Sequence, residues 1–409
     1  MGTVPLINSA GGAEKVFCNM ANEFMIRGHE VLAVCNDYRQ GKPFYPLHEK
    51  VNFHNLDASG VKRKYPRSRK IFLWKIWRAV CKPFRKTFLE PFFRDPIEHN
   101  RFSKLSQKLM TLIQKEKPDI VILFFVDDYY ALNYHKQQNI PQILMHHGNS
   151  DVFLKYLTTN RKSKMVKQCP CVQFLLPGYA KKMASQCGSN IVAIPNVVPQ
   201  IDDSEMADLS CDKNDYTITM ISRLESEKNQ TLLIECFSLL ARDYPNWKLK
   251  FFGATTKPEY FQLLQNLIEK YHLENQIFLA GTTTDPLEEL QKADIFAFPS
   301  LYEGFPLALT EAMSVGLPCI GLKTASGVNE LIVNEVNGFL ADNSSEDFAA
   351  KLKILMDNQE LRVKMGKVGH EMVKQFAPKT IWDTWENLLL ETIGTKPLKS
   401  GLFSDKITS

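Results

Sequence analysis

Two rhythms alternate along the chain. Short apolar runs are separated by stretches in which apolar positions recur every three or four residues. The first rhythm belongs to buried parallel strands, the second to helices packed on them. From the amino end the runs are VLAV, VNFHNL, PDIVILFF, PQILMHH, CVQFLL and NIVAIPN. After a break come YTITMIS, WKLKFFG, NQIFLAG, DIFAFPS, LPCIGL and GFLA. Between runs, Ala13, Val16, Phe17, Met20 and Phe24 predict a helix that Gly28 ends, and another is expected over about Asp95 to Lys115. The break, residues 198–214, is polar and acidic without period and is expected to be a linker. The last helix holds Trp382 and Trp385, and the tail after about Thr395 is expected to be disordered. Two successive αβ sets predict an α/β protein of two doubly wound domains facing each other across a cleft. The expected bounds are 1–197 and 215–375, then a helix over 376–392 and a tail over 393–409.

Size agrees, since 409 residues exceed one ordinary core. No apolar run is long enough to span a bilayer, and the opening MGTVPLINSAGG lacks the basic and apolar regions of a signal peptide. Nine scattered cysteines without a CxxC pair suggest reduced thiols and a cytoplasmic setting.

Charge changes the picture at one place. Lys62 to Arg94 holds twelve Lys or Arg against the single acid Glu90. That segment is +11 in a chain of net +5, which leaves −6 for the remainder. Such asymmetry argues against a nucleic-acid-coating surface and for one local basic element. Within it Phe72, Leu73, Ile76, Trp77 and Val80 recur at helical spacing. Lys75, Arg78, Lys82 and Arg85 are expected on the other face, and Pro83 should bend or end the helix. Aromatic residues opposite basic ones describe a helix lying on an anionic membrane. The plainer reading packs the apolar face on the domain core.

Candidate chemistry gathers at strand ends. EGFPLALTEAMSVGLP, from Glu303 to Pro318, lies between two buried runs. Pro306 falls where a first helical residue should be and Gly316 where the helix should stop. Glu303 then lies in the loop past a strand, and Glu311 in the second helical turn, leaning back toward the same crevice. A solvated helix start would explain Glu303 alone; it explains Glu311 less well, because its neighbours are apolar. In SRLESEKNQ, Arg223 and Lys228 stand beside a helix start, as a diphosphate site requires, although Glu225 and Glu227 between them also fit a solvated loop. Gly11 and Gly12 allow close approach of backbone to phosphate, without the full GxGxxG fingerprint. His147 ends another strand, where a histidine is more often structural. Asp127 and Asp128 are adjacent acids with no third metal ligand in view.

In combination, GGAEKV with RGHEV, PDIV, HHG, IPNVV, SRLESEKNQ and FPSLYEGFPLALTEAMSVGLP resemble the family 4 glycosyltransferases, retaining enzymes of the GT-B fold. The resemblance spans nearly the whole chain. It implies a C-terminal helix that returns to the first domain. It implies that Arg223 and Lys228 hold the donor diphosphate and that Glu311 binds the ribose hydroxyls. Glu303 would contact the transferred sugar, and the amides of Phe305 and Leu307 would position sugar and phosphate. Gly11 and Gly12 would approach the phosphates, His147 would sit beside the sugar, and the loop Gly281 to Thr284 would meet the base. The implied activity moves a hexose or N-acetylhexosamine from a nucleotide sugar, a UDP-sugar being favoured, to a lipid-linked glycan with retention. That is chemistry of surface polysaccharide, lipopolysaccharide or glycolipid synthesis at the inner face of the membrane, with no metal or other cofactor. Other readings are a nucleotide-sugar epimerase, a phosphorylase and a non-catalytic partner subunit; the presence of both cations and both glutamates weighs against the last. The chain departs from the family's pattern in its short opening strand VPLI, where Pro5 sits awkwardly, and in the extent of Lys62 to Arg94.

Overall fold

The computed structural model describes residues 6–8, 11–60, 69–90, 92–185, 187, 191–255 and 257–394. The chain divides into two compact units, Met1–Ile194 with Trp382–Ser409, and Pro195–Ile381. Val4 and Pro5 of VPLI and the tail from residue 395 lie outside the described residues. Ile7 does appear: it bridges Pro43 and donates its amide to Asp37 at 3.1 Å.

In the first unit, α1 (Gly12–Ile26) buries Phe17, Met20 and Phe24, and Gly28 closes it at φ +90°. The short parallel pair β1 (Leu32–Cys35) and β2 (Asn52–Asn55) follows. Next come α2 (Arg69–Cys81) and α3 (Pro96–Glu116). The start of α3 is fixed by its sequence: Pro96 supplies the helical φ, and the Asp95 carboxylate accepts the amides of Ile97 and Glu98. Then β3 (Val121–Leu123), α4 (Val126–Leu132), β4 (Gln142–Met145), α5 (Ser150–Tyr156), α6 (Asn160–Lys167), β5 (Cys171–Phe174), α7 (Pro177–Met183) and β6 (Ile191–Ala193) alternate. These four strands pair in parallel in sequence order, and β4 and β5 are buried throughout, hence their unbroken apolar runs.

The second unit runs β7 (Tyr216–Ile221), α8 (Gln230–Ser238), β8 (Trp247–Phe252), α9 (Pro258–Lys270), β9 (Ile277–Gly281), α10 (Pro286–Gln291), β10 (Ile295–Phe298), α11 (Leu307–Ser314), β11 (Cys319–Leu322), β12 (Gly338–Ala341), α12 (Ser345–Asp357), α13 (Gln359–Val373) and only the first turn of α14 (Pro378–Thr392). Its six parallel strands lie in the order β12-β11-β10-β7-β8-β9. The chain builds outward from β7 to β9, then crosses back and builds from β10 to β12. The order therefore reverses between β7 and β10, and in open α/β sheets the crevice at that reversal takes ligands. Just past β8, Gly253 sits at φ +148°, and a Cβ there would lie 1.8 Å from the Ser222 carbonyl oxygen, one residue before Arg223.

Two expectations need restating, while the return of the C-terminal helix stands as expected. Residues 198–214 are not a free linker but lie along the second unit. Val198 donates its amide to Phe376, Ala207 donates to Val315, Leu209 is buried, and Lys213 pairs with Asp294 at 2.9 Å. From Trp382 onward α14 belongs to the first unit: Arg27 meets Asp383 at 2.8 Å and Glu386 at 3.0 Å, and Phe24 contacts Trp382 edge-on. His29 and Arg27 together hold the Glu386 carboxyl below its ordinary range. In α2, which ends before Pro83 as expected, Arg78 and Arg85 do not share an open face with Lys75 and Lys82. Both reach the buried Asp95 carboxylate, at 3.1 and 2.6 Å, Arg78 while still half exposed, and the apolar residues from Phe72 to Val80 point outward rather than into the core.

Gly253→Ala should cost about 1–3 kcal/mol, because it combines a left-handed backbone with a clash against backbone. Urea unfolding measures this, and an unchanged midpoint would contradict the close approach. A second test is pH. His146 ends β4 fully enclosed, its ring against Phe153 and Phe174, and burial pushes it down to about 4. The unfolded chain binds that proton below about 6.5, while the fold refuses it until about 4. Stability should thus fall as pH drops through that window, by up to about 1.4 kcal/mol per unit. His146→Asn should flatten that part of the profile, and a slope equal to wild type would remove the assignment.

Candidate functional site

The loops after β7 and β10 meet at the reversal of the six-stranded sheet. After β7 the chain passes Ser222 and Arg223, makes a 3-10 turn over Ser226–Lys228, and enters α8 through Asn229 in a left-handed conformation. After β10, Leu301 donates its amide to the Glu227 carbonyl and Glu303 donates its amide to Ser326. These backbone bonds bring the Lys228 ammonium within 2.6 Å of the Glu303 carboxylate, with only 14% and 13% of the two side chains exposed. Of the three N–H donors an ammonium carries, this contact uses one.

Arg223 is half exposed. Its guanidinium meets Glu225 at 3.0 Å and Glu227 at 3.4 Å. Its main chain is held by Gln230, which is fully buried, donates to the Arg223 carbonyl at 2.9 Å and to Ser222 Oγ at 3.0 Å, and accepts from the Tyr260 hydroxyl. Glu225, Glu227 and Gln230 were therefore read too lightly in the sequence. The acids partner the arginine, and the glutamine positions it. The signal was the run itself, since SRLESEKNQ alternates charges at the spacing a tight turn brings together.

Pro306 stands at the N-cap of α11 rather than inside its first turn, which begins at Leu307. Proline offers no capping side chain, so the first-turn amides have no side-chain cap. Phe305 is buried edge-on against Phe376, fixing the approach to that helix end. Glu311 is buried one turn along. Charged groups, polar amides and the two glutamates thus gather around the ends of β7 and β10. The loop Gly281 to Thr284 leaves β9, tied back by the Gly253 amide on the Gly281 carbonyl at 2.6 Å.

The remaining sequence candidates belong to the first unit. Gly11 is the N-cap of α1 and Gly12 its exposed first residue, and the Glu14 carboxylate occupies the space a Gly11 side chain would need. His147 stacks on Phe124, with ring centroids 4.8 Å apart, and leans on Phe125. Burial, with help from His146, pushes its pKa down to about 3, so the ring is neutral near pH 7. Its Nε2 is buried with no hydrogen-bond partner, an orphan that a ligand hydroxyl could satisfy.

As for metals, the Asp127 carboxylate is taken by Lys162 at 2.8 Å and approached by Arg101 at 3.7 Å. Among the described residues one histidine–carboxylate group has ligand-like spacing: Asp203, His370 and Glu371. It lies on α13 and the segment before β7, and Lys374 already pairs with Glu371 at 2.5 Å. It involves none of the site residues above.

Comparison with known proteins bears on family and fold. Residues 202–372 match the family of glycosyl transferases group 1. An uncharacterized glycosyltransferase of Haemophilus influenzae is 25% identical over 384 residues, covering 94% of this chain and 97% of that one. The UDP-Gal:alpha-D-GlcNAc-diphosphoundecaprenol alpha-1,3-galactosyltransferase of Escherichia coli is 27% identical over 227 residues, covering 53% of this chain and 57% of that one. In structure, the sucrose-phosphate synthase of Thermosynechococcus elongatus superposes with a TM-score of 0.73 at 16% identity, covering 96% of each chain. That likeness concerns the fold, and the fold is the GT-B fold anticipated from the motifs. The stretch that matches the glycosyl transferases group 1, residues 202–372, includes Arg223, Lys228, Glu303 and Glu311.

Proposed function

We propose that this protein transfers a hexose or N-acetylhexosamine from a UDP-sugar to a lipid-linked glycan, with retention of configuration, in the synthesis of a surface polysaccharide, lipopolysaccharide or glycolipid. The observation that carries the reading is the Lys228–Glu303 contact at the sheet reversal, with Arg223 beside it and Glu311 one turn into α11. The lipid-linked acceptor takes support from the diphosphoundecaprenol substrate named for the Escherichia coli relative. On this reading the protein works at the inner face of the membrane, held there through residues 62–94.

The chemistry follows from the groups present. An acceptor hydroxyl attacks the anomeric carbon on the face the diphosphate leaves. The carbon–oxygen bond to phosphate breaks, and the departing phosphate oxygen takes the hydroxyl proton. No protein carboxylate forms a bond. Negative charge grows on the diphosphate, where Arg223, Lys228 and the amides of Phe305 and Leu307 stabilise it. Glu311 accepts from the ribose hydroxyls and Glu303 from the sugar. In the same reading His147 binds the sugar as a neutral imidazole, and Gly11 and Gly12 bring backbone to the phosphates.

The ligand-free pairing makes a sharp prediction. Arg223→Ala and Lys228→Ala should each weaken UDP binding by about tenfold or more, the scale of a lost charge-assisted hydrogen bond. Glu303→Gln frees Lys228 from its carboxylate, so UDP should bind at least as tightly as in wild type while transfer falls by about 10²–10³. Calorimetry with UDP and a transfer assay separate the two effects. Unchanged UDP affinity in both alanine variants would sink the diphosphate assignment.

The reading also assigns the diphosphate to cations and amides and not to a metal ion. Transfer should then persist in excess EDTA. Loss of activity, restored by Mn²⁺ or Mg²⁺, would overturn this and return attention to Asp127 and Asp128.

A further inference from the structure

Helix α2 is turned inside out for a soluble protein. Phe72, Leu73, Ile76, Trp77 and Val80 form one helical face, and all five are between 41% and 65% exposed. Phe88 and Phe92, past the helix, extend the patch at 85% and 77%. Nineteen large hydrophobic side chains are exposed among the described residues, and seven of them lie between Phe72 and Phe92. Patches of this concentration mark an interaction surface.

Charge sets the orientation. The stripe nearest Asp95 carries half-buried Trp74, half-exposed Arg78 and buried Cys81, with Arg85 continuing it past the helix. The buried Asp95 carboxylate receives Arg78 and Arg85 on one oxygen and the first amides of α3 on the other. Cys81 is buried between the two arginines, and Phe93 stacks on both Trp77 and Phe84. With both arginines paired to Asp95, the apolar face points outward. Lys75, Lys82 and Lys86 remain exposed along its flank.

We propose that this face, Phe72 to Val80 with Phe88 and Phe92, inserts into the interfacial layer of an anionic bilayer, and that Asp95 is the positioning residue that presents it. The proposal rests on the lipid-linked-acceptor reading for its purpose and not for its geometry. Two of the four cations expected on the basic face, Arg78 and Arg85, are paired with the buried Asp95, so the apolar face carries more of the docking than the sequence pattern suggests. Thirteen helical residues span about 20 Å, short of a bilayer core of about 30 Å, so the helix lies in the membrane plane. No described helix is long and apolar enough to cross. A bilayer suits the patch better than a second copy of the chain, because anionic headgroups complement the flanking lysines and a two-fold contact would set those lysines against their own copies.

The test is co-sedimentation of the full chain with vesicles of phosphatidylcholine containing phosphatidylglycerol, at 0.1 M and 1 M NaCl as roughly weak and strong screening. Wild type should bind at low salt and keep a substantial bound fraction at high salt. A Leu73→Ser/Ile76→Ser variant should lose binding by about tenfold or more at both salts. A Lys75→Gln/Lys82→Gln/Lys86→Gln variant should lose only the salt-sensitive part. Circular dichroism and UDP binding show that each variant is folded. Complete release of wild type at 1 M NaCl would leave only electrostatic adhesion and overturn insertion. So would a wild-type dimer that Leu73→Ser/Ile76→Ser turns into a monomer without changing vesicle binding. Transfer to a short, water-soluble acceptor is followed in parallel. Vesicle binding without any transfer would defeat the transferase reading and leave the docking face standing, whereas transfer without vesicle binding would do the reverse.

Discussion

An ammonium and a carboxylate 2.6 Å apart, largely removed from water, fix the working end of the second unit. Neither charge could sit so buried alone, since an unpaired ion there would cost several kcal/mol. Lys228 therefore requires Glu303, and the loops that carry them can only settle side by side. Those loops follow β7 and β10, which are neighbours solely because the strand order reverses between them. Topology brings the loops near, and the ion pair closes them to hydrogen-bond distance. The uncapped start of α11 and the buried Glu311 inherit their placement from the same closure.

The strands were legible because they are buried on both faces. CVQF and IFAF lie wholly inside, so their runs are unbroken and cannot be mistaken for half-exposed strands. Glu311 was legible for a related reason, being a carboxylate among Leu309, Ala312 and Met313 that a solvated helix would not place there. Other features were illegible in principle. The acidic stretch 198–214 has no apolar period, yet it packs, through backbone bonds to Val315 and Phe376 that any sequence could make. Periodicity showed that α2 has two faces but not which one turns inward. That depended on Asp95, ten residues beyond Arg85, which the sequence presented only as a helix boundary.

The site's charge also differs from its appearance in the sequence. Two cations near a helix start suggested an open anion trap. In the fold both are already partnered, Arg223 by Glu225 and Glu227, Lys228 by Glu303. On the proposed reading a diphosphate would share or displace these carboxylates, so part of the attraction would be spent on exchange. Such a site holds its cations in place before the ligand arrives, which limits the ordering cost on binding. On the same reading the displaced Glu303 would become available to the sugar, so one exchange would couple diphosphate binding to readiness for transfer.

The two clusters, Asp95 with its arginines and Lys228 with Glu303, look alike as lists of charges and differ in valence. The Asp95 carboxylate accepts two backbone amides on one oxygen and the Arg85 guanidinium on the other, where Arg78 also pairs at 3.1 Å, which occupies nearly all of the roughly four lone-pair positions a carboxylate has. A nearly saturated acceptor has little further to offer a ligand, and its partners are locked. That suits a device that holds a helix in one orientation. At Lys228 the contact engages one of three N–H donors, and Arg223 likewise uses part of its five-donor fork. Unused donors beside an uncapped helix end are what an incoming polyanion needs. Counting the hydrogen-bonding capacity left over, and not the net charge, thus separates the cluster that builds the fold from the cluster that can take a substrate.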